Sequence, residues 1–178
     1  MDDYVLLLRG VNVGGNRRVV MAELKAQLAA AGATTVVSYI NSGNLIFSYD
    51  GDATKLVADV LAAHYDFSID HLVLTKAAYL DEIAQAPDWW QAADDRRHNA
   101  LFKLPGYQVE FDADILSSLT DLDQAVITDH VIFWCAPQKV HYHQSAFAKI
   151  MGTPFYKHVS IRNQNTTVKL AKLLNERD

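Results

Sequence analysis

The chain has 178 residues, half of them hydrophobic, one cysteine and a net charge of −5 at neutral pH. That content suits one globular domain or two small ones with ordinary cores rather than a disordered chain, and a single cysteine excludes an intrachain disulfide. No apolar run approaches the roughly 20 residues of a membrane helix, and Met1–Tyr4 lacks the basic start of a signal peptide, so a cytoplasmic location without a membrane partner is expected.

Tyr4–Leu8 reads as a buried strand, and the Gly/Asn-rich stretch that follows reads as a loop. Met21, Leu24 and Leu28 recur at helical spacing up to Gly32. Thr35–Ile40 and Leu45–Ser48, parted by Asn41-Ser42-Gly43-Asn44, read as a hairpin. A helix marked by Leu56, Val60 and Ala63 and a strand at 69–75 complete a β-α-β-β-α-β order. Helical pieces at 76–85 and 88–93 form a connector, with Asp88 as N-cap and Trp89-Trp90 packing at the seam between two units. The same order then repeats: strand 100–104, helix 113–119, a hairpin of 124–128 with 131–135, helix 145–151, strand 157–161 and helix 166–175 capped by Asn165. The expectation is two ferredoxin-like units, 1–75 and 98–178, joined by 76–97. Cys135 lies in the apolar run 131–135 and reads as a buried hydrophobe, since a reactive thiol needs an exposed, electropositive setting.

Charge is segregated along this order. Residues 50–129 hold 16 acids against five bases, 131–175 hold six bases and no acid, and 4–48 hold four bases against Glu23. If the basic ends meet, a cationic surface suited to an anionic ligand forms; if they do not, the charges are dispersed over solvated faces.

In a β-α-β-β-α-β unit the loop leaving the first strand and the hairpin joining the second and third share one sheet end. Residues 9–16 are therefore expected beside 41–44. The fourth strand runs against the first, which places Arg162-Asn163-Gln164-Asn165 beside Arg96-Arg97-His98-Asn99. The candidate ligand-binding residues are Arg9, Asn12, Gly14, Gly15, Asn41, Ser42 and Asn44 in the first cluster. In the second they are Arg97, Asn99, Arg162, Asn163, Asn165, Thr166 and Lys169.

Arginine forks suit carboxylate or phosphate, although either Arg9 or Arg162 can instead pair with an acid such as Asp95. Gly14-Gly15 can cradle a phosphate or simply shape a turn in which Asn12 and Asn16 bond their own backbone. The helix start at 165–167, with Lys169 one turn along, is a second anion candidate. His98, flanked by Arg97 and Asn99, is the one general acid/base candidate. His141 and His143 can share a strand face, but no third ligand follows at metal spacing, and neither a P-loop nor a dinucleotide fingerprint is present, so no metal or cofactor is expected. Phe47 with Tyr49 imitates the RNA-stacking pattern poorly, and overall acidity adds to that.

The segments 7–15, 21–25, 41–44, 95–102 and 161–166 with Lys169-Leu170 together resemble the DUF1697 family, a mostly bacterial domain of unknown function. The resemblance implies ferredoxin-like architecture and supplies no substrate. Where the family pattern usually carries an aromatic residue, this chain has Gln164. The expected function is binding of a small anionic, phosphorylated ligand; a nucleic-acid module using the basic segments, or an interaction protein without ligand, is the alternative.

Overall fold

A computed structural model describes residues 1–177. The protein is a mixed α/β chain with two four-stranded antiparallel sheets and several helices. It divides into two compact units, Met1–Leu80 with Leu170–Asp178, and Asp81–Lys169.

In the first unit the elements run β1 (Asp2–Leu8), α1 (Met21–Ala30), β2 (Thr34–Ser38), β3 (Asn44–Tyr49), α2 (Ala53–His64) and β4 (His71–Thr75). The sheet order is β2-β3-β1-β4, every neighbour antiparallel. Leu6, Leu8, Leu45 and Phe47 point to the helix side and pack with Leu24 and Leu28 of α1 and Val57 and Val60 of α2. Val5, Leu7 and Ile46, which alternate with them, are buried as well. A strand buried on both faces has no polar positions to alternate, which is why β1 reads as an unbroken apolar run. Helix α3 (Lys76–Ala84) follows.

The second unit runs α4 (Asp88–Gln91), β5 (Arg97–Lys103), α5 (Glu110–Ser118), β6 (Gln124–Ile127), β7 (Val131–Ala136) and β8 (Val159–Asn163), in the sheet order β6-β7-β5-β8. Leu101, Ile132, Trp134, Val159 and Ile115 build its core. Helix α6 (Gln164–Asn175) begins without a loop after β8.

Several expectations need correction. The helix expected at 145–151 is a series of 3₁₀ turns, Tyr142–Gln144, Phe147–Gly152 and Tyr156–His158. His141 sits in the left-handed region and Pro154 lies two residues past Gly152, so the segment is broken before an α-helix can propagate. His141 and His143 consequently lie at a turn and not on a strand face. The N-cap of α4 is Pro87, not Asp88. That of α6 is not Asn165: Asn163 Oδ1 accepts from the Thr166 N–H at 2.9 Å. The unit boundary also departs from 76–97 and 98–178. Arg177 bonds Asp3, Thr35 and Ser48, and Lys76 Nζ donates to the Arg177 carbonyl at 2.5 Å, so the C-terminal stretch belongs with the first unit.

The 3₁₀ segment is held by one carboxylate. Asp123 is buried and accepts from Thr120 Oγ1 at 2.6 Å, Ala146 N–H at 2.8 Å, Trp134 Nε1 at 3.0 Å and Phe147 N–H at 3.1 Å. Burial alone would raise its pKa, but these hydrogen bonds outweigh it and hold the carboxyl below its usual range. The ion is favoured in the folded state, so its contribution is present above the ordinary carboxylate pKa of about 4 and is lost as pH falls through the depressed folded value. Asp123→Ala strands several donors and is expected to cost about 3 kcal/mol in urea unfolding at neutral pH. Between pH 6 and pH 3 the wild type should lose more stability than Asp123→Asn; equal losses would remove the carboxylate from this role.

Candidate functional site

The first polar cluster forms at one end of its sheet, as the topology requires. Leu8 N–H donates to Gly43 O at 2.8 Å and Asn12 Nδ2 to Asn41 O at 2.7 Å, which ties the two loops together. Asn12 also donates to Val19 O and accepts from Val19 N–H, both at 2.8 Å, so its amide is spent on three backbone groups. Asn44 is fully buried and donates to Tyr39 O and Ser42 Oγ. Gly14 and Gly15 have φ of 62° and 77° between the bridged pair Val13 and Asn16, the conformation of a tight two-residue hairpin turn. A Cβ at either glycine would meet nothing, so the glycines serve the turn's left-handed backbone.

Beside this turn lies an open cleft of about 420 Å³, lined by Asn12, Gly15, Asn16, Arg18, Val19, Val20, Met21 and Asn41. Arg9 and Ser42 are not in that lining. Arg9 is half-buried, and its N–H is bonded to Asp70 O at 2.8 Å.

The second cluster is set by strand pairing. β5 and β8 run antiparallel with Asn99 opposite Asn163 and Ala100 opposite Arg162, which brings the start of β5 to the start of α6. A cleft of about 660 Å³ opens there, walled by Asp94, Arg96, Arg97, His98 and Asn99, by Asn163, Gln164 and Asn165, and by Ala93 and Gln138. All but Ala93 are polar. Arg97 is exposed and lies over the Tyr142 ring, 4.4 Å from its centroid, a contact that leaves the edge donors of the guanidinium free to turn outward. Arg96 donates to the Leu122 carbonyl, and its N–H to Asp94 Oδ1 at 2.9 Å.

His98 is buried, its side chain 3% exposed. Among the described residues its Nε2 has no hydrogen-bond partner, although Asp94 Oδ1 stands 3.2 Å away: the distance is short enough for an ion pair, but the alignment is too poor for a hydrogen bond.

Arg162 is buried, with Nη1 donating to Ser160 Oγ and Ile161 O, both at 2.9 Å, and it does not line the cleft. Thr166 is buried with its N–H capped, and Lys169 also lies outside the lining. Gln164 Nε2 donates to Trp90 O at 2.6 Å, so this position is used to hold α4 against α6 within the unit. Trp90 is buried, with Nε1 bonded to Asn99 O. Asp94, Arg96, Gln138 and Arg18 line clefts without having been singled out; the acidic-basic run 94–97 was the signal for two of them. Phe47 lies fully buried in the helix-side core and offers no stacking face. Cys135 is buried, and burial pushes its thiol pKa up. Among the described residues no helix is long and apolar enough to cross a membrane, and no group of three or more His, Cys, Asp or Glu is placed to hold a metal ion.

The family description "Protein of unknown function (DUF1697)" matches residues 1–133. The chain belongs to the DUF1697 family. Among solved structures it is similar to the conserved bacterial protein SP0830 from Streptococcus pneumoniae, with 35% identity and a TM-score of 0.87 over 97% of this chain and 98% of that one. No curated protein matches.

Two substitutions test whether the first cluster is braced. Gly43 has φ +83°, and a Cβ there would stand 2.5 Å from Leu8 Cβ. Gly43→Ala is expected to cost about 2–3 kcal/mol through clash and strain, and Asn12→Ala about as much by unpairing Val19. Denaturant titration giving less than about 0.5 kcal/mol for both, the range of an ordinary surface change, would contradict the bracing role.

Proposed function

We propose that this DUF1697 protein binds a small anionic ligand, a phosphorylated one, in the second-unit cleft. The observation that carries the reading is the meeting of Arg96 and Arg97 with the start of α6 in one cleft. A helix start favours an anion through its orphan N–H groups and dipole. Here the first turn contains no acidic residue to fill that role from within. The Thr166 N–H is taken by Asn163, whereas those of Gln164 and Asn165 have no acceptor inside the helix. A volume of about 660 Å³ falls in the range of small-molecule sites.

The first cluster supports the reading less, because Asn12 and Asn44 spend their amides on the fold. We also read both units as ferredoxin-like, supported by strand orders that set each unit's first strand between its third and fourth. The lone buried cysteine suits a reducing compartment such as the cytoplasm.

Binding to the folded state raises the melting temperature, by about 2.7 kcal/mol of stabilisation at a hundredfold excess over Kd. Inorganic phosphate, pyrophosphate and a panel of phosphorylated metabolites should therefore include compounds that shift the wild type upward. Arg97→Ala, which costs the fold only an exposed cation–π contact, should lose most of that shift while melting near the wild type without ligand. An empty panel together with steeply salt-dependent RNA binding would overturn the small-ligand reading in favour of a nucleic-acid module.

A further inference from the structure

We infer that the ligand of this cleft is a phosphorylated polyol of the sugar-phosphate class, its hydroxyl groups recognised by Asp94 and His98; this rests on the anion-binding reading above. Three observations lead there.

The first is the set of amides that lines the cleft together with the arginines. Asn99, Gln138 and Asn165 are amides, each with donors and an acceptor, a set that matches hydroxyls and not a bare anion.

The second is Asp94. A carboxylate two-fifths exposed at an anion site opposes a ligand that is anionic throughout. It favours one whose phosphate is joined to a body bearing O–H donors, because a charged acceptor makes the stronger hydrogen bond to a hydroxyl.

The third is His98. Its Nε2 is buried in the cleft wall with no hydrogen-bond partner among the described residues, beside an Asp94 oxygen that it does not engage in line. A buried polar atom left unpaired is unfavourable, and such groups in folded proteins call for a partner. A hydroxyl is the simplest group that satisfies both neighbours. It donates to the Asp94 carboxylate and accepts from Nε2–H, or donates to Nε2 in the other tautomer while a neighbouring hydroxyl serves Asp94. Asp94 lies on the exposed stretch between α4 and β5, and its side chain must give up the hydrogen bond from the Arg96 N–H to swing aside and admit the group. The charged and titratable groups around His98 are Asp94, Arg96 and Arg97 from its own segment, Cys135 opposite it on β7, and Arg162 opposite Ala100 on β8.

Isothermal titration of the full chain with inorganic phosphate, n-butyl phosphate and ribose 5-phosphate tests this. Ribose 5-phosphate should bind about tenfold or more tighter than butyl phosphate, the worth of one hydrogen bond to a charged group. Asp94→Asn should remove most of that preference while leaving phosphate and butyl phosphate binding equal to or tighter than in the wild type. His98→Gln should weaken ribose 5-phosphate alone. Should that buried substitution fail to fold, Asp94→Asn and the wild-type ratio still decide. Equal affinity for the two esters, or an Asp94→Asn variant that keeps the preference, overturns the polyol inference and leaves the anion site standing. Failure of all three probes to bind overturns both.

Discussion

The antiparallel pairing of β5 with β8, Asn99 opposite Asn163, is the constraint on which the candidate site depends. Because α6 starts at the residue after β8, the sheet fixes where the helix N-terminus stands to within one residue. The same pairing fixes which β5 side chains face it. A slip of one position would reverse the faces of the strand and exchange the buried His98 for Arg97 or Asn99, moving apolar Leu101 out of the core with them. The core of the second unit thus specifies the cleft: Leu101, Ile132 and Val159 hold the register, and the polar ends of the same strands have no alternative position.

The two polar clusters differ in what their hydrogen-bonding groups are already doing. In the first, loops that leave the sheet carry left-handed residues and backbone groups without ladder partners, and Asn12 and Asn44 satisfy them. Asparagine suits that work, since its side chain imitates a peptide group. In the second, the backbone is already in strand or helix, so fewer side chains are needed as braces. Asn163 caps α6 and Gln164 holds Trp90 and Ala92, while Arg97, His98, Asn99 and Asn165 are left in the wall of the cleft.

This difference marks what the sequence could reveal. Runs such as Tyr4–Leu8 and Val131–Cys135 are legible as strands because burial on both faces leaves an apolar signature, and sheet topology then placed residues 9–16 beside 41–44 and 162–165 beside 96–99. Which asparagine caps α6 was not legible, because Asn163 and Asn165 are chemically identical candidates two residues apart. Whether an asparagine braces or binds was equally hidden, since both uses need the same amide at the same kind of loop. The role of Asp123 left little local trace: apart from Thr120, three residues before it, its partners lie 11 to 24 residues away, and only the folded chain collects them. The helix expected at 145–151 is replaced by 3₁₀ turns. A turn capped by that distant carboxylate and closed by Pro154 prevailed over propensity.

We propose that the start of α6 and the start of β5, and not the glycine turn of the first unit, receive the anion. A ¹H–¹⁵N correlation spectrum titrated with inorganic phosphate tests it most directly, because the amides that contact the ion report themselves. Saturable shifts centred on Arg97, His98, Gln164 and Asn165 are expected, with Gly14 and Gly15 unmoved. Shifts centred on Gly14, Gly15 and Asn16, or no saturable shift anywhere, would contradict it.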